Sequence, residues 1–473
     1  MTKRSLPARL ITDYGSLVIL GLLCAYYSFA TLGEQHPITP ESGRALAQRI
    51  QRDKGAGAAV LIVIRDTRQD LLFAAAIQHQ LMANGGQWLG TLAGSPAEVR
   101  PALLNLAAKG TRLDAIATHR PGSEWGPLQP GKLASLAEQH PSLAQTTVYQ
   151  PQSYVWPSFL TRENLVNVVN QNAVVAIIAI GMTMVIITGG IDLSVGSLLA
   201  VSGVVTAVAL QQLAGGAQAR PIGLIACGLL GIALCTLCGA VNGTLITWGR
   251  IPAFIVTLAT MMIARGLALI LAVRYQSFLS GGKTAGTPEA IKLDSQAFGW
   301  LGNGGTLGIP NPILLMIALY VVAHIMMTRT VLGRHIYAVG GNAQAARLSG
   351  VRVVRVLILV YAFCGAMAGL GGVVDASRFE GGRPNAGELY ELQVIAAVVV
   401  GGASLAGGEG RIFGTLVGSL IMAVIQNGLN MAGVKSYEQK VVFGLLILAA
   451  VLLDQFKQRN WQFGRLFAGG KQG

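Results

Sequence analysis

The stretch Gly189-Gly190-Ile191-Asp192-Leu193-Ser194-Val195-Gly196-Ser197 holds one carboxylate in an otherwise uncharged region. Of the 56 residues between Glu163 and Arg220, Asp192 alone carries a formal charge. In a fully apolar setting such a group costs on the order of 3 kcal/mol on membrane-insertion scales, so something must offset it. The glycine pair can interrupt a helix, and Asp192 then stands at an N-cap, able to accept the freed amides of Ser194 or Val195. Gly401-Gly402-Ala403-Ser404-Leu405 repeats the pattern 212 residues later, with serine in place of aspartate. Interrupted helices with exposed ends are typical of transport pathways. Asp192, Ser194 and Ser404 are therefore pathway or gate candidates, while the plainer reading makes Asp192 only a cap at the cytoplasmic boundary.

Asn242, Thr257, Asn427 and Asn430 are polar positions on apolar stretches. Hydrogen bonding between helices is their default role, and contact with a transported solute is the alternative. Arg265 either pairs with Asp192 or snorkels to the outer interface, the latter being preferred. In GNAQAARLSG (341–350), Asn342 can N-cap, Ala343 to Leu348 favour helix and Gly350 ends it. So short a helix is marginal in water and suits a partner's groove. Asn342, Ala345, Ala346, Arg347, Leu348, Ser349 and Gly350 thus form a candidate surface for receiving force from an ATPase, with an ordinary connector as the bland reading. SFLSGGKT (277–284) nearly matches a phosphate-binding loop, but Ser277 stands where its first glycine belongs. No other such loop occurs, so ATP hydrolysis is assigned to a separate subunit. The six histidines have no metal-ligand spacing, and no metal or cofactor is expected.

These residues sit in a chain of 473 residues that is 52% hydrophobic, only 12% charged, and has a mean hydropathy of +0.55. Charge-free windows at 14–33, 164–191, 193–219, 221–249, 311–328, 356–374, 392–408 and 412–434 approach or exceed the roughly 17–25 residues that span a bilayer as a helix. Continuous apolarity, rather than alternation, selects helices over a barrel. Spans are expected near 14–33, 164–188, 193–212, 220–247, 252–273, 310–328, 356–374, 391–407, 412–432 and 438–455. The expected fold is an all-α polytopic membrane protein of about ten transmembrane helices. The net charge of +14 does not indicate nucleic acid, because the bases flank apolar windows instead of clustering with aromatics. Lys3, Arg4 and Arg9, then Arg329, Arg334, Arg347, Arg352 and Arg355, then Lys457, Arg459, Arg465 and Lys471 mark cytoplasmic regions. An even number of spans puts both termini on that side. The five cysteines lie in apolar windows, and Cys235-x-x-Cys238 reads as helix packing. Met1 to Gly33 is read as a first span rather than a cleaved signal peptide.

Residues 34–158 differ in kind, with mixed charge, many prolines and no spanning window. Strand-like runs at 58–64, 87–94 and 113–119 alternate with helical patterns at 69–85 and 96–110. That alternation implies a small parallel α/β sheet in a periplasmic domain inserted after the first span. The domains are then 1–33, the insert 34–158, a core at 159–456, and a cytoplasmic tail at 457–473.

AIGMTMVIITGGIDLSVGSLLA, GRIPAFIVTLATMMIARG, GRHIYAVGGNAQAARLSGV and AAVVVGGASLAGGEGRIFGTLVGSLIMAVIQNGLNMAGV together resemble the ribose-type permeases of bacterial ATP-binding-cassette sugar importers. The resemblance covers 159–456. It implies an inner-membrane permease for a monosaccharide (pentose, hexose or inositol), working as two permease subunits, expected to be a homodimer, among membrane lipid. It also implies a cytoplasmic ATPase, a periplasmic sugar-binding protein, and coupling through the 340–350 region. The insert departs from the family, and its DTRQDLLFAAAIQHQLMANGGQWLGTLAG run looks like half of a sugar-binding-protein lobe. One competing class is an ion-coupled secondary sugar transporter, which needs more intramembrane carboxylates than Asp192. Another is a sugar-sensing receptor, which needs a cytoplasmic signalling domain.

Overall fold

The computed structural model describes residues 6–281, 287–449 and 451–452. Lys3, Arg4, the tail bases from Lys457 onward, the end of the 438–455 window and Lys283 of SFLSGGKT lie outside them. After α1 (Leu6–Ala30) the chain forms two compact units, one of Leu32–Ser158 and one of the residues on either side of it.

The first unit opens and closes on an antiparallel ribbon of β1 (Leu32–Gln35) with β6 (Tyr154–Pro157). In chain order it contains α2 (Pro40–Lys54), β2 (Ala59–Ile64), α3 (Arg68–Ala83), β3 (Gln87–Ala93), α4 (Pro96–Ala108), β4 (Ala115–Thr118), the single turn α5 (Arg120–Ser123), α6 (Pro130–Gln139) and β5 (Thr147–Tyr149). The sheet is parallel with strand order β3-β2-β4-β5. All six residues of β2 are buried, which is why it reads as an unbroken apolar run. At the carboxyl ends of β2 and β4, the buried Asp70 accepts from Arg65 Nε (2.8 Å) and lies 2.9 Å from His119 Nε2. Gly122 N donates to His119 Nδ1, so the ring proton is on Nε2 and is given to Asp70. Burial pushes the Asp70 carboxyl up, but Arg65 and His119 outweigh it and hold the group below the usual range.

The second unit continues through α7 (Arg162–Ile187), α8 (Val195–Leu213), α9 (Pro221–Trp248), α10 (Ala253–Leu279), α11 (Gln296–Asn303), α12 (Asn311–Arg329), α13 (Val331–Gly341), α14 (Ala343–Leu348), α15 (Val353–Arg378), α16 (Tyr390–Val400) and α17 (Ile412–Met431), with further helix over 436–449. Seven of these (α7, α8, α9, α10, α12, α15 and α17) are long and apolar enough to cross a membrane. Apolar Gly15–Ala30 within α1 and Tyr390–Val400 are shorter. The 11 residues of α16 rise about 16 Å, roughly half of a 30 Å hydrocarbon core. The 391–407 window is thus helical only in its first part.

Helix α7 is buried continuously from Asn172 to Ile187, as a helix apolar on every side must be at the centre of a bundle. In α9 and α15, by contrast, small residues set the packing. A methyl on Gly239 would overlap Tyr361 O, and one on Gly365 would overlap Cys235 O, so the backbones touch where side chains are missing. Cys235 is buried in this seam and its thiol donates to Leu198 O at 3.2 Å. This is the packing role expected of the cysteine pair.

Candidate functional site

Three interruptions in the helices organise the site. At the first, α7 ends at Ile187 and Gly189 turns the chain with φ of +77°. Asp192 Oδ1 accepts from Ser194 N (2.9 Å) and Ser194 Oγ (2.6 Å). This is a turn closed two residues ahead by the side chain. Asp192 therefore precedes the cap position, which Ser194 occupies before α8. Asn242 Nδ2 on α9 donates to Ser194 Oγ (3.4 Å), and Thr260 Oγ1 on α10 donates to Asn242 Oδ1 (2.6 Å). Thr257 bonds its own helix at Ala253 O (2.9 Å) and reaches Ile191 O at 3.4 Å. Asp192, Ser194, Asn242 and Thr257, scattered over 66 residues, thus meet in one fully buried polar cluster. There, Asp192 Oδ2 and Tyr361 Oη are buried with no protein hydrogen-bond partner among the described residues.

The second interruption follows α16. Ser404 Oγ accepts from Ala406 N at 3.3 Å, the same two-residue relation as Asp192 to Ser194. It does not cap a helix as the sequence pattern suggested, because α17 begins only at Ile412. The intervening glycines instead carry the chain to the first break. Gly408 N donates to Ile187 O (2.8 Å), and a side chain on Gly407 would press on Gly189. Helix α13 joins them. A methyl on Gly340 would overlap Ile187 O, and Tyr337 Oη donates to Gly410 O (2.7 Å). From α13 the chain passes directly into α14, where Asn342 Oδ1 accepts from Ala345 N (2.9 Å) and Gly350 leaves the helix with φ of +88°. Ala346 is buried, whereas Ala345, Arg347, Leu348 and Ser349 are exposed, Leu348 by 86%.

The third interruption lies between α15 and α16, in the gap the sequence left between the 356–374 and 391–407 windows, but the path it takes was not anticipated. Arg265 Nη1 donates to Pro384 O and Ala386 O, each at 2.8 Å. It does not pair with Asp192, because the bent backbone offers it carbonyls that no helix satisfies. A methyl on Gly382 would meet Gly203 O, and one on Gly387 would meet Gly196 O. Those two α8 positions are seven residues apart, so the 382–387 segment advances about 10 Å along α8 before α16 starts. The legible signal was the breaker cluster Gly381-Gly382-Arg383-Pro384-Asn385-Ala386-Gly387 directly ahead of an apolar window.

A cavity of about 350 Å³ opens between α7, α15, α16 and α17, lined among others by Gln171, Asn172, Asp375, Tyr390, Gln393, Gln426 and Asn427. Asp375 is buried and both its oxygens accept from Arg383 Nη2 at 2.9 Å, while the guanidinium lies 3.4 Å from the centre of the Phe379 ring. Asn427 and Asn164 exchange amide hydrogen bonds of 2.8 and 3.1 Å between α17 and α7. Asn427 is therefore remote from the Asp192 cluster and belongs to this cavity. Asn430 instead accepts from Gln439 Nε2 (2.7 Å).

Residues 164–451 match the family model described as "Branched-chain amino acid transport system / permease component". The ribose import permease protein RbsC of Escherichia coli K12 is 44% identical over 328 residues, which is 69% of this chain and 96% of that protein. The D-allose transport system permease protein AlsC of the same organism is 37% identical over 63% of this chain and 85% of its own length. Its L-arabinose transport system permease protein AraH is 38% identical over 64% and 86%. No solved structure matches the chain.

Proposed function

The chain belongs to the permease-component family of the branched-chain amino acid transport type, and we propose that this member is the membrane permease of an ATP-binding-cassette importer for a monosaccharide. The observation that carries the reading is the 44% identity to a ribose permease across 96% of that protein's length. The interrupted helices around a polar cavity support it, since transport sites are built where helices break within the membrane. Relatives named for ribose, D-allose and L-arabinose support a substrate among pentoses and hexoses. Hydrolysis belongs to a cytoplasmic ATPase seated on Asn342–Gly350, a periplasmic binding protein delivers the sugar, and a second copy of the permease completes the pathway. In this reading α1, α16 and the helix from 436 join the seven long helices as spans of an inner-membrane protein. Both termini are then cytoplasmic and 32–158 is periplasmic.

The test is ATP-dependent uptake by vesicles holding the chain with its ATPase and binding protein, offered D-ribose, D-allose, L-arabinose or L-leucine. Accumulation of at least one sugar and exclusion of leucine is expected. Uptake of leucine without any sugar would overturn the assignment.

A further inference from the structure

We infer that the cavity between α7, α15, α16 and α17 is a subsite for one uncharged monosaccharide on the translocation path, contacted by the free amides of Gln171, Gln393 and Gln426. The inference rests on the sugar-importer reading and names where the sugar stops on its way through.

Size comes first. The space of about 350 Å³ lies at the small end of the range typical of small-molecule pockets, roughly 300–1,000 Å³, and so suits a single sugar ring. Its carboxylate is engaged. The one carboxylate in the wall, Asp375, is already held on both oxygens by Arg383, and the guanidinium of Arg378 donates to Asn170 O at 3.2 Å. An amino acid zwitterion would need an unpaired carboxylate facing its ammonium group, and the one carboxylate lining the cavity, Asp375, is already taken by Arg383. What remains uncommitted is amide. Asn427 is occupied by Asn164, and Asn172 Nδ2 is occupied by Ser419 O at 2.9 Å. The side-chain amides of Gln171, Gln393 and Gln426 make no protein hydrogen bond among the described residues, Gln171 and Gln426 being exposed and Gln393 half-buried. A primary amide both donates and accepts, as does each hydroxyl of a sugar, so three such groups match a polyol without requiring any charge. Tyr390 adds a ring at the same wall, and an aromatic face suits the apolar C–H face of a sugar.

Position is the second argument. Tyr390 and Gln393 belong to the first turn of α16, the half-length helix that follows the bent 379–389 segment. Arg265 holds that segment by two carbonyls. The subsite is therefore built on the discontinuous element of the bundle, where movement of one short helix changes access. Gln393 and Gln426 also line a second cavity of about 430 Å³ that extends to Gln439 and Phe443 of the 436–449 helix. These two side chains stand on the wall between both spaces, so a change of rotamer joins one to the other.

The experiment uses the intact importer in vesicles, with radiolabelled D-ribose, D-allose and L-arabinose as probes and binding-protein-stimulated ATP hydrolysis measured in parallel. Gln393→Ala and Gln426→Ala should each lower sugar uptake roughly tenfold, as expected where a site built to bind a hydroxyl loses its partner, and Gln426→Trp should block it by filling the cavity. Membrane level, ATPase co-purification and stimulated hydrolysis should stay within twofold of the unaltered protein, because these residues touch only the sugar. Uptake within twofold of normal in the Gln393→Ala/Gln426→Ala double variant would overturn the subsite. Uptake and hydrolysis falling together would also overturn it, by assigning the glutamines to helix packing. Failure of the unaltered importer to take up any of the three sugars while accumulating leucine would instead overturn the sugar reading itself.

Discussion

Asp192 has one oxygen in a turn and the other without a protein partner among the described residues, and substitutions separate the two. Asp192→Asn keeps an acceptor for Ser194 N and Oγ, though a weaker and uncharged one, at a cost of about 1 kcal/mol or less. Asp192→Ala strips both donors in a buried site and costs about 1–3 kcal/mol. It also loosens Ser194 from Asn242, which the same hydroxyl accepts. Uptake normalised to protein level should therefore be better retained by the asparagine variant than by alanine. Equal loss in both at normal protein levels would give the carboxylate a charge-dependent role in gating, beyond holding the turn.

At the scale of elements, α13 and α14 are separate helices joined at Asn342, whose extended backbone ends one and caps the other. Beyond the joint α14 exposes Arg347 and Leu348, and just before it α13 places Gly340 against Ile187 O, where both helix breaks meet. Substitution on the two sides of the joint should fail in different ways. Arg347→Asp with Leu348→Asp should abolish co-purification of the ATPase while membrane insertion stays normal. Gly340→Ala introduces a methyl where the α7 backbone already sits, at a cost of about 1–3 kcal/mol for overpacking, and displaces the breaks without altering the exposed face. It should retain the ATPase yet lower uptake at least several-fold, as read by affinity co-purification and vesicle uptake side by side. Normal uptake in Gly340→Ala would mean the contact carries no motion.

For the whole molecule the sidedness of the 32–158 unit decides its role. Ser95 and Ser349 are both exposed, so a cysteine at either position can be reached from its own side of the membrane. Ser95→Cys should react with a membrane-impermeant thiol reagent in intact cells, and Ser349→Cys only after permeabilisation. The β1–β6 ribbon pairs Gln35 with Tyr154, so 36–153 can be replaced by a short polar linker without pulling the flanking strands apart. If the unit docks the binding protein, that deletion raises the KM for uptake and weakens binding-protein affinity with the ATPase contact unchanged. Unaltered KM would leave the unit no part in delivery.

The amino-acid sequence by itself determined the features that depend on neighbours along the chain. Unbroken apolarity over 164–191 or 221–249 leaves helix as the structure that satisfies its own amides in lipid. The Gly-Gly pairs, Asp192, Ser404 and Asn342 declare turns and caps because their side chains bond amides two or three residues away. The parallel strands at β2, β3 and β4 were legible for the same reason, as short apolar runs separated by helical spacing. Tertiary structure alone decided what these pieces meet. Nothing local says that Gly189, Gly340 and Gly407 converge, that Asn242 and Thr260 extend the Asp192 turn into two further helices, or that Asn427 belongs to a different site. Arg265 is the clearest case. Sequence offered it a carboxylate or the interface, but it binds the carbonyls of Pro384 and Ala386, acceptors created only when a segment 119 residues away bends and leaves its backbone unpaired. The partner of a buried charge is whichever group the fold leaves unsatisfied beside it, and that depends on long-range packing rather than on spacing along the chain.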